Sequence, residues 1–130
     1  MFTVSQIEQA HEKVTSGADF PQYIQEIKAM GVDAFETWVS DSHTDYYGKE
    51  DFHVTSAPQY EPMSISDITN EAQFRHYLQI HQQGLTDYIT FCTHCAETGI
   101  AKWIVSLEEM TCTYYDKQGN KVVTEQIPGA

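Results

Sequence analysis

Two glycines divide this chain into matched halves, and that recurrence limits its folds more than any single motif does. Gly31-Val32 and Gly99-Ile100 each end a helix-like stretch and open an alternating apolar run, at an offset of 99 − 31 = 68. At the same offset Phe35 meets Trp103, Val39 meets Leu107, Tyr46-Tyr47 meets Tyr114-Tyr115 and Lys49 meets Lys117. Upstream the offset reads as 65, pairing Tyr23-Ile24 with Tyr88-Ile89, as if the second copy had gained a helical turn. The histidines correspond too: His11 closes the stripe Val4-Ile7-His11 much as His81 closes Phe74-Leu78-His81. The expectation is an α+β fold made of two tandem helix-helix-strand-strand-strand repeats that form one compact, pseudo-symmetric domain. The halves fall at about 1–57 and 66–130, with a linker at about 58–65, inside a single domain spanning 1–130.

Both halves carry their start and stop signals in the same order. Thr3 or Ser5 can cap a first helix, Ser5 and Glu8 having capping-box spacing, with Val4, Ile7, His11 and Val14 as its stripe and Ser16-Gly17 as its end. Asp19 caps the next helix, and Pro21 is tolerated in its first turn. Phe20, Tyr23, Ile24, Ile27 and Met30 form its buried face, and Gly31 stops it. Residues 34–40 alternate as a strand with Phe35, Thr37 and Val39 on one side. The polar run 41–45 turns the chain into two short strands at Tyr46-Tyr47 and 52–55. Pro58 and Pro62 argue against regular structure in the connector 56–65. Asn70 with Gln73 caps a third helix, whose stripe is Phe74, Tyr77, Leu78 and His81 and whose stop is Gly84. Thr86 or Asp87 opens a fourth, with Tyr88, Ile89, Cys92, Cys95 and Ala96 on one side and Gly99 as its end. Strands at 102–107, 110–115 and 121–127 complete the set, the last two joined by the hairpin loop 116–120.

Charge narrows the partners. The net charge is −12, the pI is near 4.6, and Arg75 is the only arginine. Such a surface repels phosphate backbones and anionic bilayers, so neither nucleic acid nor membrane is an expected partner. The run MFTVSQIEQA has no charged n-region and no long apolar core, so no secretory signal is read there. Three cysteines make no disulfide framework, which fits a reducing, cytoplasmic setting.

The sharpest chemical motif is Cys92-Thr93-His94-Cys95. A structural zinc site needs four ligands, normally from two such pairs, and here the rest would have to come from His81, His76 or Cys112, none spaced as a knuckle. A redox pair draws its low thiol pKa partly from a helix N-terminus, whereas these cysteines fall late in their helix. At the offset of 68 their counterparts are Ile24 and Ile27, so buried structural thiols are the simpler reading.

His11 and His81 occupy matched stripe positions and read first as core or interface histidines, with a pair facing a shared cleft as the sharper alternative. His43 reads as solvated, and Ser42 beside it has no nucleophile-elbow glycines. Adjacent tyrosines must point to opposite sheet faces, so one each of Tyr46-Tyr47 and Tyr114-Tyr115, and Trp38 with them, lies outside the helix-packed face. Covering them favours a homodimer or a ligand.

The runs SGADFPQYIQEIKAMGV, HQQGLTDYITFCTHCAETGIAKW and MTCTYYDKQGN resemble the YbcV-like family of small uncharacterised bacterial proteins, sometimes labelled phage envelope proteins, and the likeness extends over essentially the whole chain. The resemblance implies an α+β domain with this element order and brings no activity, cofactor or catalytic residue. Two function classes follow. One is a non-enzymatic accessory or binding protein presenting an aromatic sheet face or cleft, with His11, His81, Trp38, Tyr46 and Tyr114 as candidate contacts. The other is a small metal- or thiol-dependent enzyme using His81, Cys92, Cys95 and, as a metal ligand, Cys112. No glycine-rich phosphate loop or paired-carboxylate motif is present, and no cofactor is expected.

Overall fold

The computed structural model describes residues 2–12, 14 and 19–127. The expected end of the first helix at Ser16-Gly17 lies outside them. The fold is α+β: four helices lie on one face of a six-stranded antiparallel sheet. Helices α1 (Val4–His11) and α2 (Phe20–Met30) precede strands β1 (Ala34–Trp38), β2 (Thr44–Tyr47) and β3 (His53–Thr55). Helices α3 (Glu71–Gln82) and α4 (Tyr88–Glu97) precede β4 (Ile100–Ser106), β5 (Thr111–Asp116) and β6 (Lys121–Gln126). The sheet order is β3-β2-β1-β4-β5-β6, so the two three-stranded meanders meet at their first strands.

Local chemistry accounts for most boundaries. Thr3 rather than Ser5 caps α1: its hydroxyl accepts from Gln6 N, and the Gln6 side chain accepts from Thr3 N, a complete capping box. Asn70 and Asp87 accept from the Gln73 and Thr90 amides to cap α3 and α4. Gly31 and Gly99 end α2 and α4 with φ of +107° and +85°, a conformation that costs L side chains and suits glycine. β1 stops at Trp38, two residues short of the expected strand. Ser42 N donates to Trp38 O there, and Ser42 sits at φ +62°, closing a tight turn that residues 39–42 form instead. β2 begins at Thr44, inside the run expected to be only a turn, because the Thr37 and Thr44 hydroxyls bond each other at 2.9 Å within the core.

The central β1–β4 pairing sets the whole sheet. Its register places Phe35 against Val105, Glu36 against Ile104 and Thr37 against Trp103. Beyond the paired strands, Leu107 N donates to Asp33 O and Val39 N to Ala101 O, both at 2.9 Å, so the junction is stitched past each end. On the helix side this register collects Phe35, Tyr46, Trp103, Val105, Cys112 and Tyr114. Tyr23, Ile24 and Ile27 of α2, with Phe74, Leu78, Phe91, Cys92 and Cys95 of α3 and α4, cover them. Tyr46 and Tyr114 are therefore the inward members of their pairs, and Tyr47 and Tyr115 the outward ones.

One upstream expectation is corrected. Ile89 is 48% exposed, whereas Ile24, its partner at an offset of 65, is fully buried. Burial instead follows 68 back through the helices: Phe91, Cys92 and Cys95 are buried as Tyr23, Ile24 and Ile27 are, and the N-cap positions Asp87 and Asp19 stand 87 − 19 = 68 apart, although Asp19, unlike Asp87, makes no side-chain cap bond. The inserted turn is not needed, and the inward residue that the sequence reading missed is Phe91.

The connector between the halves forms no helix or strand, yet it is tied down throughout. Gln59 N donates to Asp41 O and Met63 N to Ser40 O, both at 2.7 Å, and the Tyr60 hydroxyl donates to Val39 O. Its last residues bond the end of α4, Ser66 N to Ala96 O and Asn70 N to Thr98 O, which satisfies carbonyls the helix leaves open. This approach makes Gly99 doubly constrained, since a Cβ there would lie 2.7 Å from the Ile68 carbonyl oxygen. Gly119 has the same left-handed backbone (φ +86°) but open space around it. Gly119→Ala is expected to lose only the conformational term, on the order of 1 kcal/mol. Gly99→Ala adds overpacking against backbone and should lose roughly 1–3 kcal/mol more. Urea unfolding of the two variants reads the difference, and equal losses would refute the packing argument.

Candidate functional site

The two helical hairpins do not close over the sheet. Between them lies a cleft of about 700 Å³ whose floor is Trp103, Cys112 and Tyr114. One wall comes from His11, Val14, Phe20 and Pro21, around α1 and the start of α2. The opposite wall comes from Leu78, His81 and Phe91 of α3 and α4, with Thr86, Asp87 and Tyr88 at the corner between them. β6 supplies the outer edge, Glu125 to Ile127.

The aromatic rings of the floor and far wall form one continuous cluster. Phe91 lies 5.8 Å from Trp103 and 6.4 Å from Tyr114 by ring centroid, and Trp103 lies 6.1 Å from Tyr114 and 6.3 Å from Tyr88. His81 stacks on Phe91 at 4.4 Å, and its Nδ1 sits 3.2 Å from the Thr86 carbonyl oxygen. The Thr86 hydroxyl lies closer to the same Nδ1, at 3.1 Å, and a hydroxyl can donate or accept, so these contacts serve either tautomer of the ring. The other ring nitrogen, Nε2, has no hydrogen-bond partner among the described residues. Burial lowers the pKa of His81 and of His11, so both rings favour the neutral form. His11 reaches the cleft from the opposite wall, edge-on to Tyr23 at 5.2 Å and to Tyr88 at 6.3 Å. The two histidines thus line one cleft from opposite walls.

Residues 8–126 match the family described as protein of unknown function (DUF1398). The chain belongs to the DUF1398 family. No curated protein matches it. What this DUF1398 domain can do must therefore be read from its own side chains.

Of the five candidate contacts, His11, His81 and Tyr114 converge on the cleft, and Tyr46 and Trp38 do not. Tyr46 is sealed in the core against Phe35 and the Tyr23 hydroxyl. Trp38 lies on the opposite face of the sheet, stacked on His43 at 6.0 Å, with Lys102 Nζ 4.7 Å above its ring. Lys102 also covers Tyr115 and donates to Glu36 at 2.9 Å, and Tyr47 stacks on His53 at 5.0 Å. The chain itself thus supplies much of the covering these outward aromatics need. His43 is not simply solvated: its Nδ1 lies 2.6 Å from Asp41 Oδ1, and Trp38 shields one face.

The thiols fall in two places. Cys92 and Cys95 have no exposed surface, and only Cys112 reaches the cleft. Burial pushes all three thiols up, Cys112 to about 12. Cys92 packs beside the Tyr60 and Tyr88 hydroxyls, and Tyr88 in turn shares a bond with the buried Ser42 hydroxyl. Among the described residues no three His, Cys, Asp or Glu side chains stand together as a ligand set, so His81, Cys92, Cys95 and Cys112 are not assembled around a common point. His94 stacks on Tyr77 at 3.7 Å instead. The residue that sequence reading missed is Glu125. Its signal was the alternation Val123, Glu125, Ile127, which puts a carboxylate on the helix side of an apolar strand face.

Two expectations follow. Cys92 and Cys95 should resist thiol reagents in the folded protein near pH 8, with Cys112 modified first through the cleft. Cys92→Ala should cost about 1–3 kcal/mol, as for a small buried truncation. Rapid labelling of Cys92 and Cys95 under native conditions would contradict the burial. For the histidines the sign runs toward acid. Their folded pKa values are lowered, so their contribution to stability is complete above the unfolded value of about 6.5 and is lost as pH falls through the folded values. The urea midpoint should drop as the pH is lowered through about 6.5, and should drop less in His81→Gln, which cannot titrate there. An identical pH profile for the variant would rule this out.

Proposed function

We propose that this chain is a binding protein rather than an enzyme, and that the cleft between its helical hairpins takes a small, largely apolar molecule. The observation that carries the reading is the cleft itself. Its volume of about 700 Å³ lies within the range of roughly 300–1,000 Å³ typical of small-molecule sites. Like those sites it combines aromatic residues, Phe91, Trp103 and Tyr114 among them, with polar side chains that can orient a ligand, such as His81, Gln82 and Glu125. Raised thiol pKa values and neutral histidines leave no activated nucleophile in it, which weighs against the thiol-dependent alternative.

We also read the halves as a duplication. Three features of the register support it. Glu36 and Ile104, counterparts at the offset of 68, pair with each other. The flanking pairs Phe35–Val105 and Thr37–Trp103 are then exchanged copies. Within the halves, Phe35–Tyr46 recurs as Trp103–Tyr114. On this reading the cleft lies where two related hairpins meet, although its two histidines, 81 − 11 = 70 apart, are not counterparts at the offset of 68.

The test uses the two tryptophans. In Trp38→Phe only Trp103, on the cleft floor, emits. Adamantylmethanol, a rigid apolar probe without ultraviolet absorption of its own in this range, should shift that emission saturably. Val14→Phe, which narrows one wall, should weaken the effect at least tenfold while leaving the unfolding midpoint near that of the parent. Emission that stays unchanged up to the solubility of the probe would sink the proposal.

A further inference from the structure

The cleft has a charge as well as a shape. Glu125 occupies a helix-side position between Val123 and Ile127 and is half-buried. One of its carboxylate oxygens accepts from Gln82 Nε2 at 2.7 Å, and the ion pairs formed by the described residues leave it out. Asp87, the α4 cap, places a second carboxylate on the rim. No Lys or Arg lines the cleft among the described residues, and its two histidines favour the neutral form. Its formal charge from those residues is therefore that of two carboxylates, inside a chain whose net charge is −12. A partly desolvated carboxylate without a cationic partner is costly, and a bound cation removes that cost. The same cleft is lined by Phe91, Tyr88 and Trp103, and aromatic rings attract positive charge through their quadrupoles. The field of the whole chain concentrates cations and repels anions at the mouth.

We infer that the ligand of this cleft is a hydrophobic organic cation, an amine or quaternary ammonium carried on an apolar body. The inference rests on the cleft being a small-molecule site. The charged end sits at Glu125, with Asp87 adding to the field, and the apolar body lies against Phe91 and Trp103. With Nδ1 protonated against Thr86, His81 Nε2 can accept one N–H of a protonated amine.

Three probes sharing one body separate the possibilities: adamantylmethylammonium, adamantylmethanol and adamantanecarboxylate, titrated calorimetrically into the intact chain, with the Trp103 indole N–H resonance reporting the site. The ammonium is expected to bind at least tenfold more tightly than the alcohol, and the carboxylate more weakly than either. Glu125→Gln, which keeps a partner for Gln82, should close the gap between ammonium and alcohol. If ammonium and alcohol bind alike in the parent, or if the gap survives in Glu125→Gln, the cation inference is wrong while the cleft reading stands. If none of the three moves the Trp103 resonance, the cleft reading fails and the inference fails with it. The unfolding midpoint of Glu125→Gln, measured alongside, separates a lost carboxylate from a lost fold.

Discussion

Everything in this molecule depends on the antiparallel seam between β1 and β4. Glu36 opposite Ile104 is its middle, and the bonds from Leu107 to Asp33 and from Val39 to Ala101 fasten its two ends. The contact is long-range in sequence, so closing it commits the chain entropically before local packing can respond. Once it forms, side-chain alternation along both strands puts Phe35, Thr37, Trp103 and Val105 on one face, and the helices have only that face to cover. A slip of one residue would turn Trp103 and Phe35 outward and bring Glu36 and Lys102 into the core, a register error that burial strongly forbids. The seam therefore fixes which residues meet beneath the helices, and with them the floor of the cleft.

The seam also explains why the helices leave a gap. Each hairpin follows its own half: α2 is anchored over Tyr46 through Tyr23, and α3 and α4 over Tyr114 and Trp103 through Phe74 and Phe91. Two covers centred on two different meanders do not have to meet above the join. Polar side chains stand at the edges of the gap, His11 on one side and His81, Gln82 and Glu125 on the other. Closing the hairpins together would press those groups into apolar surroundings, where an unpartnered imidazole nitrogen or carboxylate is expensive. The polar rim thus acts against collapse, while the aromatic floor favours anything apolar that can displace water.

How much of this was legible in the sequence follows from the range of each signal. Caps and stops are local, and Asn70, Asp87, Gly31 and Gly99 sit where their chemistry put them. Alternation is nearly local, and it shows that each tyrosine pair is split across the sheet, but only the packing assigns Tyr46 and Tyr114 to the inner face. Errors arose where two local patterns fitted equally well. Helical spacing allows either Ile89 or Phe91 beside Cys92 and Cys95, and hydropathy favoured isoleucine, but packing on Trp103 chose the aromatic ring. The turn expected through 41–45 hid Thr44, because a threonine reads as polar until another threonine is found opposite it. The cleft itself had no local signature. It exists only because α1, α3, α4 and β6, far apart in the chain, stop short of one another around it.

The cysteines illustrate how a motif and its surroundings can disagree. Cys92 and Cys95 have the spacing of a knuckle, yet their chemistry is decided by where α4 packs. A metal or a thiolate needs a stabilised negative sulfur, which comes from a helix N-terminus, a cation or a second pair of ligands. Here the pair begins a full turn into α4, its nearest polar neighbours are the neutral hydroxyls of Tyr60 and Tyr88, and burial raises both thiols. The isoleucines at the same offset in α2 are equally buried, so the position asks for apolar volume and cysteine supplies it. The chemistry that is free to act lies one helical face away, where α3, α4 and β6 leave His81 and Glu125 facing open space. Within the motif it is His94, not a thiol, that packing leaves unsatisfied: its ring stacks on Tyr77 and its buried Nδ1 has no hydrogen-bond partner among the described residues.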